Sequence, residues 1–345
     1  MADAQGGSAT GPSVIVAVID TGVDYNHPDL KDVMWKNPGE IAGNGIDDDN
    51  NGIVDDVYGV DYTSGSGTGN PIDRHGHGTH CAGVIGAPTG NSVGIAGIAG
   101  VSQGKAKLMA IKGLSDTGVG STSWLMNGLN YAIKHGAKIS SNSWGGGGSD
   151  GGILANILGN NPDHLFIAAA GNSNVQITPT NPRSTCSTNA ANQLCVGSTT
   201  PNDARSGFSN WGKPYVHVMA PGSGIMSTVP NSGYRYMSGT SMACPQVSGL
   251  AALLSTLRPN LTPIQLKQLI EGNVQVKSQY APHVTSEGLI DVLKSVQALT
   301  NPGKGHFILI LKKCTVPFFY LKMLVFRHLP ASKNNDTDTK LLDFK

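Results

Sequence analysis

This sequence of 345 residues has few cysteines, no long apolar run and almost no net charge. Its formal net charge is +1, which argues against a general role in binding nucleic acid or an anionic membrane. The longest apolar pieces are interrupted by Lys312, Lys313 and Lys322, so we predict no membrane-spanning helix, which needs roughly 20 apolar residues. Five cysteines are too few for a disulfide scaffold, although Cys186 and Cys195 are near enough in sequence to pair in an oxidising compartment.

The first residues, MADAQGGSATGP, have no basic start and no apolar run, so they encode no secretion signal. Two interpretations stay open: the protein is intracellular, or this chain lacks its natural beginning. The other end of the chain differs in charge. Residues 1–300 carry 16 Lys and Arg against 20 Asp and Glu, a net −4, whereas residues 301–345 carry 8 against 3, a net +5.

We therefore divide the chain into three parts. Residues 1–12 are an N-terminal extension and residues 13–299 are one domain. Residues 300–345 are a tail that we expect to be disordered, weakly packed or absent from the mature protein.

Glycine is abundant, with 46 residues, which predicts many functional loops on a sheet scaffold. Short, continuous apolar runs recur between helical stretches, at 13–20, 106–114, 137–144, 165–172, 193–198 and 215–222. Such runs are typical of strands that are buried on both faces. We predict a single α/β domain with a doubly wound, mostly parallel sheet and helices on both faces.

Three segments are predicted helices. TSWLMNGLNYAIKHG ends at Gly136, SMACPQVSGLAALLSTL follows later in the chain, and TPIQLKQLIEG has Thr262 as its N-cap and Pro263 in its first turn. In a doubly wound sheet, ligand sites lie at the carboxyl ends of the strands. Asp20 and Asn172 end two of the predicted strands, and Ser241 lies at the start of the second helix, where the helix dipole favours an anion.

The segment RHGHGTHCAG, residues 74–83, places three histidines close together. A serine hydroxyl becomes a good nucleophile when an imidazole takes its proton and a carboxylate orients that imidazole. Asp20, His77 and Ser241 could fill these roles, yet each alone could equally be a turn residue, a core histidine or a helix cap. His75, His77 and His80 could instead bind zinc, but the chain has no HExxH pattern and no cysteine pair at structural-zinc spacing.

The motifs VIDTG, HGTH and GTSMACP, in this order, resemble the active-site motifs of the subtilisin-like serine proteases, in which the order Asp, His, Ser is known. A fourth motif, AAAGN at 168–172, matches the family's oxyanion asparagine. The resemblance implies that Asp20 is the orienting acid, His77 the general base and Ser241 the nucleophile. It also implies that the Asn172 side chain and the Ser241 backbone N–H bind the oxyanion.

The same resemblance implies that a polypeptide substrate binds as an added strand between two edge segments. The matching residues are Ser143, Trp144 and Gly145 on one side and Gly118, Val119 and Gly120 on the other. SWGGGGSD could also be a plain flexible turn. Ser173 follows Asn172 where some relatives carry an acid, so we expect apolar or aromatic residues before the scissile bond and no demand for a basic one.

Five aspartates in GNGIDDDNNGIVDD, residues 43–56, would repel one another without a bound cation. The spacing partly follows a calcium loop, with ligands expected from Asp47, Asp49, Asn51, the Ile53 carbonyl and Asp55. Tyr58 replaces the usual glutamate at position twelve, and Asp56 could substitute for it. A solvated turn is the alternative.

A second structural calcium site is implied by the family resemblance alone. Its ligands would be Asp29, Asn91 and the carbonyls of Thr89, Val93 and Ile95. An ordinary surface loop is the alternative.

We expect a serine endopeptidase that acts through an acyl-enzyme, is stabilised by calcium, binds polypeptide substrates and is a monomer. The family resemblance also implies secretion and folding with the help of a propeptide, and nothing before residue 12 resembles one. The other hypothesis is therefore a catalytically silent domain or an immature fragment, acting as a calcium-stabilised binding module.

Overall fold

The computed structural model describes residues 13–102, 104–146 and 152–299 with their side chains, and the backbone of residues 308–313 and 322–327. The chain divides into two compact units, Met1–Leu299 and Thr300–Lys345. No helix in these described ranges is long and apolar enough to cross a membrane.

The strands of the first unit form a large sheet and a hairpin. They are β1 (Val14–Asp20), β2 (Gly59–Asp61), β3 (Ala106–Lys112), β4 (Ile139–Asn142), β5 (Leu165–Ala169), β6 (Gln193–Thr199), β7 (Val218–Pro221), β8 (Ile225–Val229), β9 (Gly233–Met237), β10 (Gln275–Val276) and β11 (Gly288–Leu289). Nine of these strands form the sheet, in the order β10-β11-β7-β6-β5-β4-β1-β3-β2, and β8 and β9 form the hairpin. All neighbours in the sheet are parallel except β10 and β11. The predicted mostly parallel sheet is confirmed.

Six helices accompany these strands in the described part of the first unit. They are α1 (His77–Gly86), α2 (Thr122–Lys134), α3 (Ile153–Asn160), α4 (Thr240–Leu257), α5 (Pro263–Gly272) and α6 (Val292–Leu299). The three predicted helices correspond to α2, α4 and α5. In α5, Thr262 and Gln265 form a capping box and Pro263 occupies the first turn, as predicted. Gly136, just beyond α2, has a φ of +79°.

Side-chain alternation along the strands shows why helices cover both faces of the sheet. Ala17 and Ile19 of β1 belong to one buried cluster, together with Leu125 and Leu129 of α2. The intervening Val18 is equally buried, so the opposite face is covered too. Helices α1 and α4 pack against β1 there.

The strand register decides which loops meet at the carboxyl edge. Asp20 pairs with Lys112 of β3, and Ile19 pairs with Asn142 of β4. The chain leaves β1 and β4 at the same edge and then continues to opposite sides of this point. The strand after β1, β2, lies beyond β3, whereas the strand after β4, β5, lies on the other side. Topological switch points of this kind are where ligands bind in open α/β sheets.

Cys186 and Cys195 form a disulfide with a Cα–Cα distance of 5.6 Å, which joins a loop to β6. The pairing that the sequence left open is therefore present. Cys81 and Cys244 are free and buried.

In the second unit, the described residues form two strands, β12 (Ile308–Lys313) and β13 (Lys322–Arg327), which pair antiparallel. The rest of the tail and the extension 1–12 lie outside the described residues. The division of the chain into three parts stays a prediction.

Candidate active site

Asp20 and His77 form a close pair at the carboxyl edge of the sheet. Asp20 Oδ1 lies 2.7 Å from His77 Nδ1 and also accepts a hydrogen bond from the Thr21 N–H at 2.7 Å. His77 can approach this closely because the next residue is glycine. A Cβ at Gly78 would lie 2.1 Å from the Gly22 carbonyl oxygen and 3.0 Å from Asp20 Cβ.

The carboxylate controls the protonation of His77. Burial of the ring by itself would lower the pKa of His77, but the charge of Asp20 and its hydrogen bond outweigh burial and raise that pKa above its ordinary value. Asp20 is fully buried, and its Oδ2 accepts no hydrogen bond from the described residues. Among the described residues, the His77 ring and the Thr21 N–H are thus the hydrogen-bond donors that face the Asp20 charge.

Asp73, which the sequence reasoning missed, holds the start of α1 in place. Its carboxylate accepts hydrogen bonds from the backbone N–H groups of His75, Gly76 and Thr79, each at 2.9 Å. The Thr21 hydroxyl also donates to Asp73 at 2.9 Å, which ties α1 to the end of β1. The available signal was an aspartate shortly before His77, the residue at which α1 begins.

The other two histidines do not join His77 in a metal site. His80 Nε2 lies 2.9 Å from the Ile225 carbonyl oxygen and 3.1 Å from that of Arg235, and burial lowers the pKa of His80 to about 4. His75 is exposed, with its ring centroid 6.3 Å from that of His77. His80 therefore bonds internally, and His75 lies in the loop before α1.

Ser241 lies in the first turn of α4 and exchanges two hydrogen bonds with Ser143. The Ser241 hydroxyl donates to the Ser143 carbonyl at 3.0 Å, and the Ser143 hydroxyl donates to the Ser241 carbonyl at 2.9 Å. Cys81, one turn after His77 on α1, donates its thiol to the same Ser241 carbonyl at 3.4 Å. A hydroxyl has one proton, so in this rotamer Ser241 does not donate to His77.

The backbone N–H of Ser241 and the side chain of Asn172 border a common space beside Gly239. A Cβ at Gly239 would lie 3.4 Å from Asn172 Nδ2 and 3.6 Å from the Ser241 nitrogen. Asn172 Oδ1 accepts hydrogen bonds from the Thr240 N–H at 2.8 Å and the Thr240 hydroxyl at 2.9 Å, which turns Nδ2 outward. Asn172 Nδ2 and the Ser241 nitrogen therefore both lie close to the space that a side chain at position 239 would fill.

A cleft of about 610 Å³ runs past His77 between two edge segments. All six residues predicted to bind substrate line it: Ser143, Trp144, Gly145, Gly118, Val119 and Gly120. Leu125, Met126 and Leu154 form part of its apolar lining, and none of its described lining residues is acidic.

The acidic loop brings together some of its predicted ligands. Single carboxylate oxygens of Asp47, Asp49 and Glu40 lie within 4.8 Å of one another, and Glu40 was missed by the sequence reasoning. Asn51 is adjacent, since its N–H donates to both Asp47 and Asp49 at 3.0 Å. The Ile53 N–H donates to Asn51 Oδ1 at 2.8 Å.

Asp55 and Asp56 serve the loop differently. The Asp55 carboxylate accepts hydrogen bonds from the backbone N–H groups of Gly43 and Gly45, at 2.6 and 3.0 Å. Asp56 is fully buried, and accepts from the side chains of Asn37 and Asn51 at 2.8 Å and of Tyr131 at 2.5 Å. These contacts hold Asp56 beneath the loop, and its carboxylate also lies in a group with Asp49 and His135. Asp56 as a replacement for the glutamate ligand stays a prediction.

In the second predicted calcium loop the atoms that face the carboxylate are donors. Asn91 Nδ2 donates to Asp29 at 2.8 Å, the Ile95 N–H donates at 2.9 Å and the Tyr234 hydroxyl at 3.4 Å. Asn91 Oδ1 accepts from the Val93 N–H at 3.1 Å, and the Thr89 hydroxyl contacts the Gly100 carbonyl at 3.3 Å. A cation here would require Asn91 to turn its oxygen towards Asp29.

Fold and site together define a candidate serine hydrolase with an α/β architecture. Comparison with known proteins agrees: the subtilase family model matches residues 11–290. Thermitase from Thermoactinomyces vulgaris is 38% identical over 249 residues, which cover 72% of this chain and 77% of thermitase. The chain belongs to the subtilase family, and the resemblance seen in its motifs is confirmed.

Other relatives agree on the family. Subtilisin-like protease 1 of Plasmodium falciparum (isolate 3D7) is 32% identical over 318 residues, covering 85% of this chain and 45% of that protein. The Plasmodium berghei (strain Anka) protein of the same description is 31% identical, with 82% and 49% covered. This chain thus spans about half the length of these relatives. The crystal structure of a cold adapted subtilisin-like serine proteinase superposes with a TM-score of 0.61 at 30% identity, covering 81% of this chain and 88% of that one.

Proposed function

We propose that this chain is a serine endopeptidase in which Asp20, His77 and Ser241 act as acid, base and nucleophile. The proposal is supported chiefly by the Asp20–His77 contact of 2.7 Å. The Cys81 thiol, one turn after His77, joins α1 to the start of α4 through the Ser241 carbonyl. In the resting arrangement the Ser241 hydroxyl donates to Ser143. Binding of substrate would turn the hydroxyl towards His77, which takes its proton as Oγ attacks the scissile carbonyl.

The negative oxygen of the tetrahedral intermediate would occupy the space beside Gly239. Asn172 Nδ2 and the Ser241 N–H are the donors that border this space, and the first turn of α4 adds its dipole. His77 would then give its proton to the leaving amine, and water would release the acyl group from Ser241 by the reverse steps.

The cleft favours extended polypeptides with an apolar or aromatic residue before the scissile bond. This follows from its apolar lining and from the lack of acidic side chains among the described lining residues. A peptide library should give cleavage after apolar and aromatic residues. A profile dominated by Lys or Arg at that position would contradict this specificity.

Calcium is proposed as a structural ion in the acidic loop, held by Asp47, Asp49, Asn51 and Glu40, since carboxylate and carbonyl oxygens are the ligands that calcium prefers. Family membership and the Cys186–Cys195 disulfide favour a secreted, monomeric protein that a propeptide helps to fold.

Labelling with a fluorophosphonate probe tests the enzymatic proposal. The probe should label wild-type protein and S123A, which alters an exposed serine of α2, but not S241A. Absence of labelling in folded, calcium-loaded protein would favour the catalytically silent binding module instead.

A further inference from the structure

Lys267 and His217 contact each other at the edge of the sheet that is opposite the proposed catalytic residues. His217 directly precedes β7, so it lies at the amino edge of the sheet, opposite the cleft. Its Nε2 lies 3.1 Å from Lys267 Nζ of α5. His217 is 2% exposed, whereas Lys267 is partly exposed and can be reached from solvent.

The backbone decides which ring nitrogen of His217 carries the proton. The Cys195 N–H donates to His217 Nδ1 at 2.9 Å, and the Cys195 carbonyl accepts from the His217 N–H at 2.9 Å. A buried backbone N–H needs an acceptor, so Nδ1 must present its lone pair. The ring is therefore either neutral with its proton on Nε2 or without any proton, and the second state is inaccessible near neutral pH.

This tautomer leaves no lone pair on Nε2 for an ammonium group. An Nε2–H can be satisfied by Lys267 only if Nζ accepts the hydrogen bond, and Nζ has a lone pair only as a neutral amine. Burial lowers the pKa of Lys267. Burial is also the largest cause that lowers the pKa of His217 to about 3, and the second cause, the Lys267 charge, acts only while Lys267 is protonated. Both directions agree with the hydrogen-bond geometry.

The third titratable group in this cluster is Glu271, one turn after Lys267 on α5. No ion pair joins Glu271 to Lys267 among the described residues, although the i,i+4 spacing would allow one. Glu271 Oε1 is buried and without a hydrogen-bond partner in the same part of the chain, and burial raises the pKa of this carboxyl. Burial of the amine outweighs the Glu271 charge, which raises the pKa of Lys267, so the net shift of that pKa is downward.

We propose that Lys267 is a nucleophilic amine at neutral pH and a covalent modification site for aldehydes, separate from the proteolytic cleft. The Nζ lone pair attacks the aldehyde carbon and the carbonyl π pair moves to oxygen. The two protons of the amine leave with that oxygen as water, so that an imine forms on Nζ.

Formaldehyde with cyanoborohydride tests this on the full chain, because the reductant's hydride converts the imine to a stable methylamine. At low conversion, peptide mapping by mass spectrometry compares Lys267 with Lys134, which is exposed at the end of α2. An ordinary lysine with a pKa of about 10.4 is neutral in roughly 1 of 2500 molecules at pH 7. We expect Lys267 to react more than about tenfold faster than Lys134 at pH 7.

The pH dependence of the reaction distinguishes a Lys267 amine that is neutral from one that is only more accessible to formaldehyde. From pH 7 to 9 the Lys134 rate should rise about tenfold per unit, while the Lys267 rate should rise less steeply. A Lys267 rate that rises in parallel with Lys134, or an unmodified Lys267, overturns the proposal.

The variant H217N keeps an acceptor for the Cys195 N–H but removes the Nε2–H, so Lys267 should return to the behaviour of Lys134. If H217N does not fold, ¹⁵N NMR of the wild-type protein shows which ring nitrogen of His217 carries the proton. Protonated Nε2 with bare Nδ1 supports the proposal, and protonated Nδ1 contradicts it.

Discussion

Ser143 and Ser241 exchange two hydrogen bonds, each hydroxyl donating to the other residue's carbonyl, at 2.9 and 3.0 Å. The exchange is possible because residue 245 is a proline inside α4. In a regular helix the N–H of residue 245 would bond to the carbonyl of residue 241, and proline has no N–H to give. The Ser241 carbonyl is thus left for Ser143 and Cys81.

The variant S143A should weaken the first turn of α4. It removes the Ser143 hydroxyl, which is a better donor to the Ser241 carbonyl than the Cys81 thiol, and it keeps the Ser143 carbonyl. We expect a loss of about 1 kcal/mol in the free energy of unfolding, and a lower kcat with little change in KM. Thermal melting and steady-state kinetics measure both, with S123A as control. An unchanged melting temperature would contradict this role.

Two variants of Asn172 separate its structural contact from its proposed catalytic one. N172D keeps the Oδ1 acceptor for Thr240 but replaces the Nδ2 donor by an anionic oxygen. It should therefore retain the wild-type melting temperature, since a carboxylate is favourable at a helix N-terminus. Its kcat should fall at least about 10²-fold, the cost of a lost oxyanion donor measured in a subtilisin.

The variant N172A loses both contacts, so it should lose stability as well as kcat. Equal activity in N172D and wild type would exclude Asn172 as an oxyanion donor.

The rate of peptide hydrolysis should depend on the protonation of His77. A general base must be neutral, and the Asp20 charge raises the pKa of His77 against the effect of burial. The acid limb of kcat/KM should therefore lie above pH 6.5, the ordinary histidine value. D20N should move the limb to lower pH and reduce kcat by about 10⁴-fold, as in the corresponding trypsin variant. An acid limb at the same pH in D20N and in wild type would contradict the role of the Asp20 charge in raising the pKa of His77.

The same pair should affect stability with the opposite dependence on pH. Because folding raises the pKa of His77, the pair's contribution is fully present below pH 6.5 and is lost as pH rises through the higher folded value. The difference in unfolding free energy between wild type and D20N should therefore shrink with rising pH. Denaturant titrations at several pH values measure it, and a difference that grows would contradict the sign.

Three buried histidines should make the fold sensitive to acid. Burial lowers the pKa values of His80 and His164 to about 4, and that of His217 to about 3. All three bond internally, His164 through the Ala137 carbonyl at 2.7 Å and the Ser140 hydroxyl at 2.8 Å. Their contribution is present above pH 6.5 and is lost as pH falls towards 4.

We expect the melting temperature to fall below pH 6.5 and H164Q to show a shallower fall over this range. A wild-type melting temperature that is constant from pH 7 to pH 4 would contradict the assignment of these groups as buried and neutral.

Removal of calcium should destabilise the protein through the acidic loop. An ion bound only to the folded state at 100 times its Kd contributes about 2.7 kcal/mol. Excess chelator should therefore lower the melting temperature of wild type and of D48N, since Asp48 bonds to the Ile41 N–H and Asn44 side chain outside the ligand group. The double variant D47N/D49N should no longer respond.

The remaining candidate ligands can be separated in the same assay. E40Q tests the ligand that only the structure identified, and D29N tests the second loop. An unchanged melting curve of wild type in excess chelator would contradict calcium binding at both loops.

Much of the fold could be predicted because its signals are local. The apolar runs that became β1 and β3 to β7 are buried on both faces, and burial of this kind is visible as a run of apolar residues. Strands β10 and β11 have two residues each, and β9 is largely exposed. Such strands leave no pattern in the sequence, so they were missed.

The sequence by itself determined the parallel sheet, the disulfide candidates, the family and the identity of the residues that its motifs contain. Only the tertiary structure decided their contacts. Asp73, Glu40 and the Lys267–His217 pair were not predicted, because each depends on partners that are distant in sequence or on which atom faces which. The directions of the Ser241 hydroxyl and of the Asn91 amide could not be predicted either. A side chain's hydrogen-bond partner is set by packing and not by its neighbours in the chain.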